Sequence, residues 1–112
     1  MIELIFKLLV AHALADFSLQ SDVMAKGKNR HNKIDSIPKG QKLMPCWHYW
    51  LTSHALIHGG AVYVATGSLF CGLVETIAHW GIDFCKCENW TNPNTDQLLH
   101  FVSKMAYVVF LI

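Results

Sequence analysis

Apolar residues gather into four runs along the chain, at residues 2–24, 45–66, 69–87 and 95–112, and each is too long for a typical strand. Breaks fall where helix-stopping residues cluster. Gly67 and Ser68 separate the second run from the third, and "NWTNPNT" closes the third as a turn. Pro45 suits a helix start and Thr95 an N-cap. The pattern predicts an all-α four-helix bundle in up-down-up-down order, a single domain over residues 1–112.

The runs of ~18–22 residues match the ~30 Å hydrocarbon core of a bilayer at 1.5 Å rise per residue. No Asp, Glu, Lys or Arg occurs from 43 to 74, so the second run is the clearest span. Composition points the same way, with 53% hydrophobic and only 15% charged residues, against about 25% charged in a typical soluble domain. The first run holds Lys7 and Asp16, the third Glu75 and Asp83, the fourth Lys104. A soluble bundle of the same four helices is therefore the alternative to a transmembrane one.

The net charge of +1 nominates no acidic partner, but its distribution is uneven. Lys26, Lys28, Arg30, Lys33, Lys39 and Lys42 account for six of the nine basic residues, inside a connecting loop at 25–44. Basic loops stay on the cytoplasmic side, which places both termini and the Gly67–Ser68 turn on the other face and the 89–94 loop back in the cytoplasm. No aromatic residue is interleaved with these charges, so no nucleic-acid partner is expected. The segment "LLVAHALAD" imitates a signal-peptide cleavage site, yet its apolar core is short and contains a histidine, and the expectation is a retained helix. Cys46, Cys71, Cys85 and Cys87 form no C-x-x-C pair and read as free, small, buried residues.

The candidate chemistry lies inside the runs. "SHALIHGG" holds His54 and His58 four residues apart. Its counterparts are His12 and Asp16 in the first run, Glu75, His79 and Asp83 in the third, and Asp96 and His100 in the fourth. Residues four apart share one helix face, so each pair can grip an ion. In an up-down-up-down bundle the pairs fall at a common height, toward the end bearing the basic loop. Ionisable groups inside a bundle are costly unless they are used. The expected metal ligands are His12, Asp16, His54, His58, His79 and Asp83. Asp96, His100 and Glu75 are the catalytic candidates, Glu75 lying one turn deeper. Imidazole and carboxylate donors suit one or two ions of Zn, Mn, Fe or Ni. Gln20 and Gln97 are placed to hold a water or substrate oxygen.

Other residues have simpler readings. Trp47, Tyr49, Trp50 and Trp90 suit an interfacial belt, Gly59 and Gly60 close helix packing, and His31 and His48 a solvent-facing or interfacial position.

"AHALADFSLQSDVMAKGK", "SHALIHG", "HWGIDFCK" and "DQLLH" together resemble an uncharacterised family of small histidine-rich membrane proteins of bacteria and their phages. The resemblance covers nearly the whole chain and implies a multi-pass protein of the bacterial inner membrane. The family has no established reaction. Its pattern is similar to that of membrane-bound metal-dependent hydrolases. The His-Glu-x-x-His motif of zinc peptidases, the Glu-x-x-His pairs of di-iron bundles and the doubled-histidine boxes of desaturases are missing. The function expected is metal-dependent hydrolysis of a phosphoester or pyrophosphate at the cytoplasmic face, on an anionic phosphate-containing or lipid substrate. Membrane lipid is the expected surrounding, and a homo-oligomer is left open. The rivals are a metal carrier or channel, a haem-binding electron carrier, and a small phage-type effector with a structural polar core.

Overall fold

A computed structural model describes residues 1–31 and 47–112. Among these residues all regular structure is helical: α1 (Ile2–Ala13), a π-type turn (Leu14–Ser18), α2 (Asp22–Gly27), α3 (Trp47–Thr66), α4 (Leu69–Cys87) and α5 (Pro93–Leu111). The all-α expectation holds. Pro45, Cys46 and the part of the basic loop from residue 32 onward lie outside the described residues.

The first apolar run differs from the single helix expected. Its hydrogen-bond ladder widens where Leu19 N–H bonds Leu14 O at 2.8 Å, an i→i+5 link. The chain then restarts at Ser21, whose hydroxyl accepts from Met24 N–H at 3.1 Å as an N-cap. α5 also begins earlier than Thr95. Asn92 is the cap, its Oδ1 accepting from Thr95 N–H at 2.8 Å, and Pro93 opens the first turn.

Four long elements pack side by side, each antiparallel to its neighbours. Gly67, at φ +72°, ends α3, and the Ser68 hydroxyl caps α4 through Cys71 N–H at 3.2 Å. The resulting hairpin closes tightly around Gly59. A Cβ there would lie 1.8 Å from Thr76 Oγ1 and 2.7 Å from Gly72 O. Gly60 does not share this role, because nothing lies within 4 Å of its Cβ position. Lys86 meets Asp96 and Phe70 meets Phe110 across α4 and α5, which fixes their opposite directions.

Burial is inverted relative to an ordinary globule. The largest fully buried side chains include Lys104, His54, His58, His79, His100, Glu75, Asp83 and Asp96, all at 1% exposure or less. A small apolar cluster of Leu8, Val62, Cys71, Tyr107 and Val108 adjoins the deeper end of this polar set, where Tyr107 OH donates to Glu75. Large apolar side chains face outward instead, among them Val64 at 83%, Ile77 at 76% and Val109 at 74% exposure. Cys71 and Cys87 are buried, Cys85 half-buried, and all three are unpaired thiols as expected.

The expected membrane crossings find no support in the helices taken singly. Among the described residues, no helix is long and apolar enough to cross a membrane. The reason is the inward polar set: α4 carries Glu75, Asp83 and Lys86, α5 carries Asp96 and Lys104, and α3 carries His54 and His58.

Candidate metal centre

The four i, i+4 pairs meet inside the bundle at one level. The π-type turn swings Asp16 inward, where Oδ1 accepts from His58 Nε2 at 2.9 Å and lies 3.4 Å from His54 Nε2. Across the hairpin, Asp83 Oδ2 lies 3.4 Å from His54 Nε2 and 3.6 Å from His79 Nε2. From α5, His100 Nε2 stands 3.6 Å from Asp83 Oδ1 and 3.5 Å from Asp96 Oδ1. The imidazoles stack face to face: His58 on His79 at 3.6 Å and His79 on His100 at 4.3 Å between ring centroids.

Hydrogen bonding does not account for this cluster. Both ring nitrogens of His54, His79 and His100, together with Asp96 Oδ1, are buried without a hydrogen-bond partner. Each such atom costs about 1–3 kcal/mol if it stays unsatisfied, so their concentration at one place calls for a partner. One donor atom from each of Asp16, His54, His58 and His79 can be chosen such that all four lie within 4.8 Å of one another. Donors of a tetrahedral ion, bonded at 2.0–2.1 Å, stand about 3.3 Å apart. The separations of Asp16 Oδ1 from His58 and His54 bracket that value. Three imidazoles and a carboxylate suit Zn(II) or a neighbouring first-row ion.

Asp83, Asp96 and His100 form a second such group, but two ammonium groups already occupy its acidic side. Lys28 Nζ donates to Asp83 Oδ2 at 2.7 Å and to Gln20 Oε1 at 2.7 Å. Lys86 Nζ donates to Asp96 Oδ2 at 3.2 Å and lies 3.5 Å from Asp83 Oδ1. The cluster thus holds a nitrogen-rich quartet, a lysine-flanked carboxylate pair, and a third group of Glu75, His79 and His100 that shares a histidine with each.

His12 stands beside the quartet and outside it. Its Nε2 bonds Gln97 Oε1 at 3.1 Å and lies 3.3 Å from Asp16 Oδ2. The Gln97 amide donates to both Asp16 Oδ2 and Asp96 Oδ2 at 3.3 Å, knitting α1 to α5. Glu75 is one turn deeper, as its position implied. Its carboxylate accepts from Lys104 Nζ and, at 2.7 Å, from Tyr107 OH, and it lies 3.5 Å from His79 Nδ1. That neighbourhood holds the Glu75 carboxylate through Lys104 and Tyr107, beside the unpartnered His79 Nδ1.

Sequence reasoning overlooked Lys28, Lys86, Lys104 and Tyr107. Lys28 was hidden inside the basic loop, where a cation reads as solvated. Lys86 and Tyr107 fall at i+3 and i+7 from the inward residues Asp83 and His100, a helical spacing that marks them as facing the same side.

Outside the cluster, His31 and His48 are exposed, as expected, and His31 Nε2 lies 3.1 Å from Glu88 Oε2. Arg30 bonds both oxygens of Glu88 and covers the rings of Trp47 and Phe84 at 6.0 and 5.6 Å. That guanidinium holds the Glu88 carboxyl down at about 2.

Fold and site together define a small bundle, all-helical among the described residues, whose interior is polar and titratable. The chain belongs to the family described as "Protein of unknown function (DUF3307)", whose model matches residues 4–112. No curated protein and no solved structure matched the chain.

Proposed function

We propose that the protein is a lipid-embedded, metal-dependent hydrolase of phosphate esters or pyrophosphates. The observation that carries the metal is the set of buried imidazole nitrogens without hydrogen-bond partners, clustered with Asp16 at donor spacing. One ion in the Asp16, His54, His58, His79 quartet would lower the pKa of a bound water toward neutrality and polarise the scissile group.

The chain's own residues supply the rest. Asp96, with one oxygen unpartnered and His100 at 3.5 Å, takes a proton from the attacking water. The water oxygen forms the new bond to phosphorus, the ester oxygen leaves, and the proton is handed to that leaving oxygen. Lys28 and Lys86 face the negative charge that grows on the phosphoryl oxygens. A haem between the histidines is disfavoured, because rings stacked at 3.6 and 4.3 Å leave no slot for a porphyrin.

Lipid embedding rests on the outer surface. α3, α4 and α5 are 20, 19 and 19 residues long, or about 30 Å at 1.5 Å per residue. Their inward faces hold the residues that depress their hydropathy, while Val64, Ile77, Val102, Val109 and Phe110 face out. A polar interior inside an apolar coat is the arrangement a bilayer favours. The basic loop is then a cytoplasmic topology signal.

The test is a panel of phosphate monoesters, diesters and lipid pyrophosphates, assayed with wild type, His58→Ala, Asp16→Asn and the double variant, with a chelator control. Loss of either group should abolish turnover almost as fully as loss of both, because half a site does not activate water. Small additive losses in folded, metal-loaded variants would refute hydrolysis.

A further inference from the structure

The polar centre is reached from the side. Between α1 and α5 lies a pocket of about 380 Å³ whose rim is Leu9, Leu98 and Phe101 and whose inner wall includes His12, His100 and Lys104, with Gln97 between them. The rim residues are 43%, 60% and 47% exposed, whereas His100 and Lys104 are buried. Both ring nitrogens of His100 and Nδ1 of His12 lack hydrogen-bond partners. The pocket therefore grades from apolar at its mouth to polar and unsatisfied at its floor. A larger apolar groove of about 520 Å³, between α1 and α3, is lined by residues such as Phe6, Val10 and Val64 and has no such floor.

We propose that the α1–α5 pocket is the substrate portal and that it admits an amphiphile: an alkyl chain along the rim, a phosphate head against His12 and Gln97. This rests on the metal-hydrolase reading and adds the substrate class and its route. The mouth opens on the apolar coat, so an alkyl chain entering there stays out of water. The head meets the Gln97 amide, which already reaches toward both Asp16 and Asp96. A bound ion strengthens entry of an anion. Four carboxylates, Asp16, Glu75, Asp83 and Asp96, share the interior with three ammonium groups, Lys28, Lys86 and Lys104. One divalent ion turns that balance from net negative to net positive while the imidazoles are neutral.

The experiment is titration calorimetry of the full chain in neutral-detergent micelles, with empty micelles as blank and metal content measured alongside. The probes are dodecyl phosphate and inorganic phosphate. Zinc-loaded wild type should bind dodecyl phosphate about ten-fold or more tighter than inorganic phosphate, a difference of about 1.4 kcal/mol. Leu98→Trp, which fills the rim from an exposed position, should erase that preference while zinc content stays unchanged. Equal affinities for the two phosphates would overturn the portal and favour a small soluble substrate. So would an unaltered preference in zinc-loaded Leu98→Trp. If wild type takes up no zinc, the metal reading fails on its own. The portal then stands only if Leu98→Trp still weakens dodecyl phosphate binding, and falls otherwise.

Discussion

His54 Nε2 lies 3.4 Å from Asp16 Oδ1 and 3.4 Å from Asp83 Oδ2, fully buried between two carboxylates and hydrogen-bonded to neither. The carboxylates come from the π-type turn after α1 and from α4, while the imidazole comes from α3. Three elements thus converge on one atom that has no hydrogen-bond partner in the protein. An ion bonded to His54 and Asp16 would turn that cost into a bond, and His79 and His58 would complete its shell.

This arrangement predicts a change of sign in the effect of His54→Leu. In metal-free protein the substitution removes an unsatisfied group, so stability should hold or rise by about 1 kcal/mol. In protein held at ~100 times the metal's Kd it should lose the ~2.7 kcal/mol that binding confers. Thermal unfolding in detergent, with and without chelator, reads both arms. A loss of the same size in both arms would make His54 a plain packing residue.

The deeper ion pair has its own consequence. Lys104→Met leaves Glu75 buried at 1% exposure with Tyr107 as its remaining hydrogen-bond donor. The expected cost is about 3–5 kcal/mol, most of it recovered in Lys104→Met/Glu75→Gln, where no charge is stranded. Unfolding free energies of the single and double variants measure this. A single variant within 1 kcal/mol of wild type, roughly the range for exposed pairs, would show that the pair is open to solvent.

The two adjacent glycines of α3 should respond in opposite directions. Gly59→Ala drives a methyl into Thr76 and the Gly72 carbonyl and should cost about 1–3 kcal/mol. Gly60→Ala meets open space and should gain about 0.5–1 kcal/mol from helix propensity. Equal shifts in the midpoint of unfolding would contradict the packing of the α3–α4 hairpin.

At the polar end, the Arg30–Glu88 pair ties the segment after α2 to the end of α4. The carboxyl is depressed from 4.5 to about 2, so the tether contributes fully above pH 4.5 and is lost as pH falls through about 2. Arg30 covers Trp47, so tryptophan fluorescence should report a transition near pH 2 that Glu88→Gln abolishes. A transition centred near 4.5 would show the pair unformed.

The fold class, and the gathering of the four i, i+4 pairs at one level, were legible in the sequence because both depend on helical period. His54 with His58, and Asp96 with His100, lie one turn apart, and the antiparallel order of the helices brings them level. What was illegible depends on departures from that period. The π-type turn that aims Asp16 inward has no residue marker, since "LADFS" reads as ordinary helix. Lys28 reaches Asp83 only because α2 folds back onto α3, with Gly27 lying against Trp50. The start of α5 was misplaced because Thr95 and Asn92 are both capping residues, and the partner of the cap chooses between them.

The most direct test of the metal centre is elemental analysis of protein purified without added metal, beside His54→Ala, His79→Ala and His31→Ala. The quartet predicts about one first-row transition ion per chain in wild type and in His31→Ala, and a content near zero in the other two. The same metal content in all four proteins, or none in wild type reconstituted with Zn(II), Mn(II) or Fe(II), would contradict it.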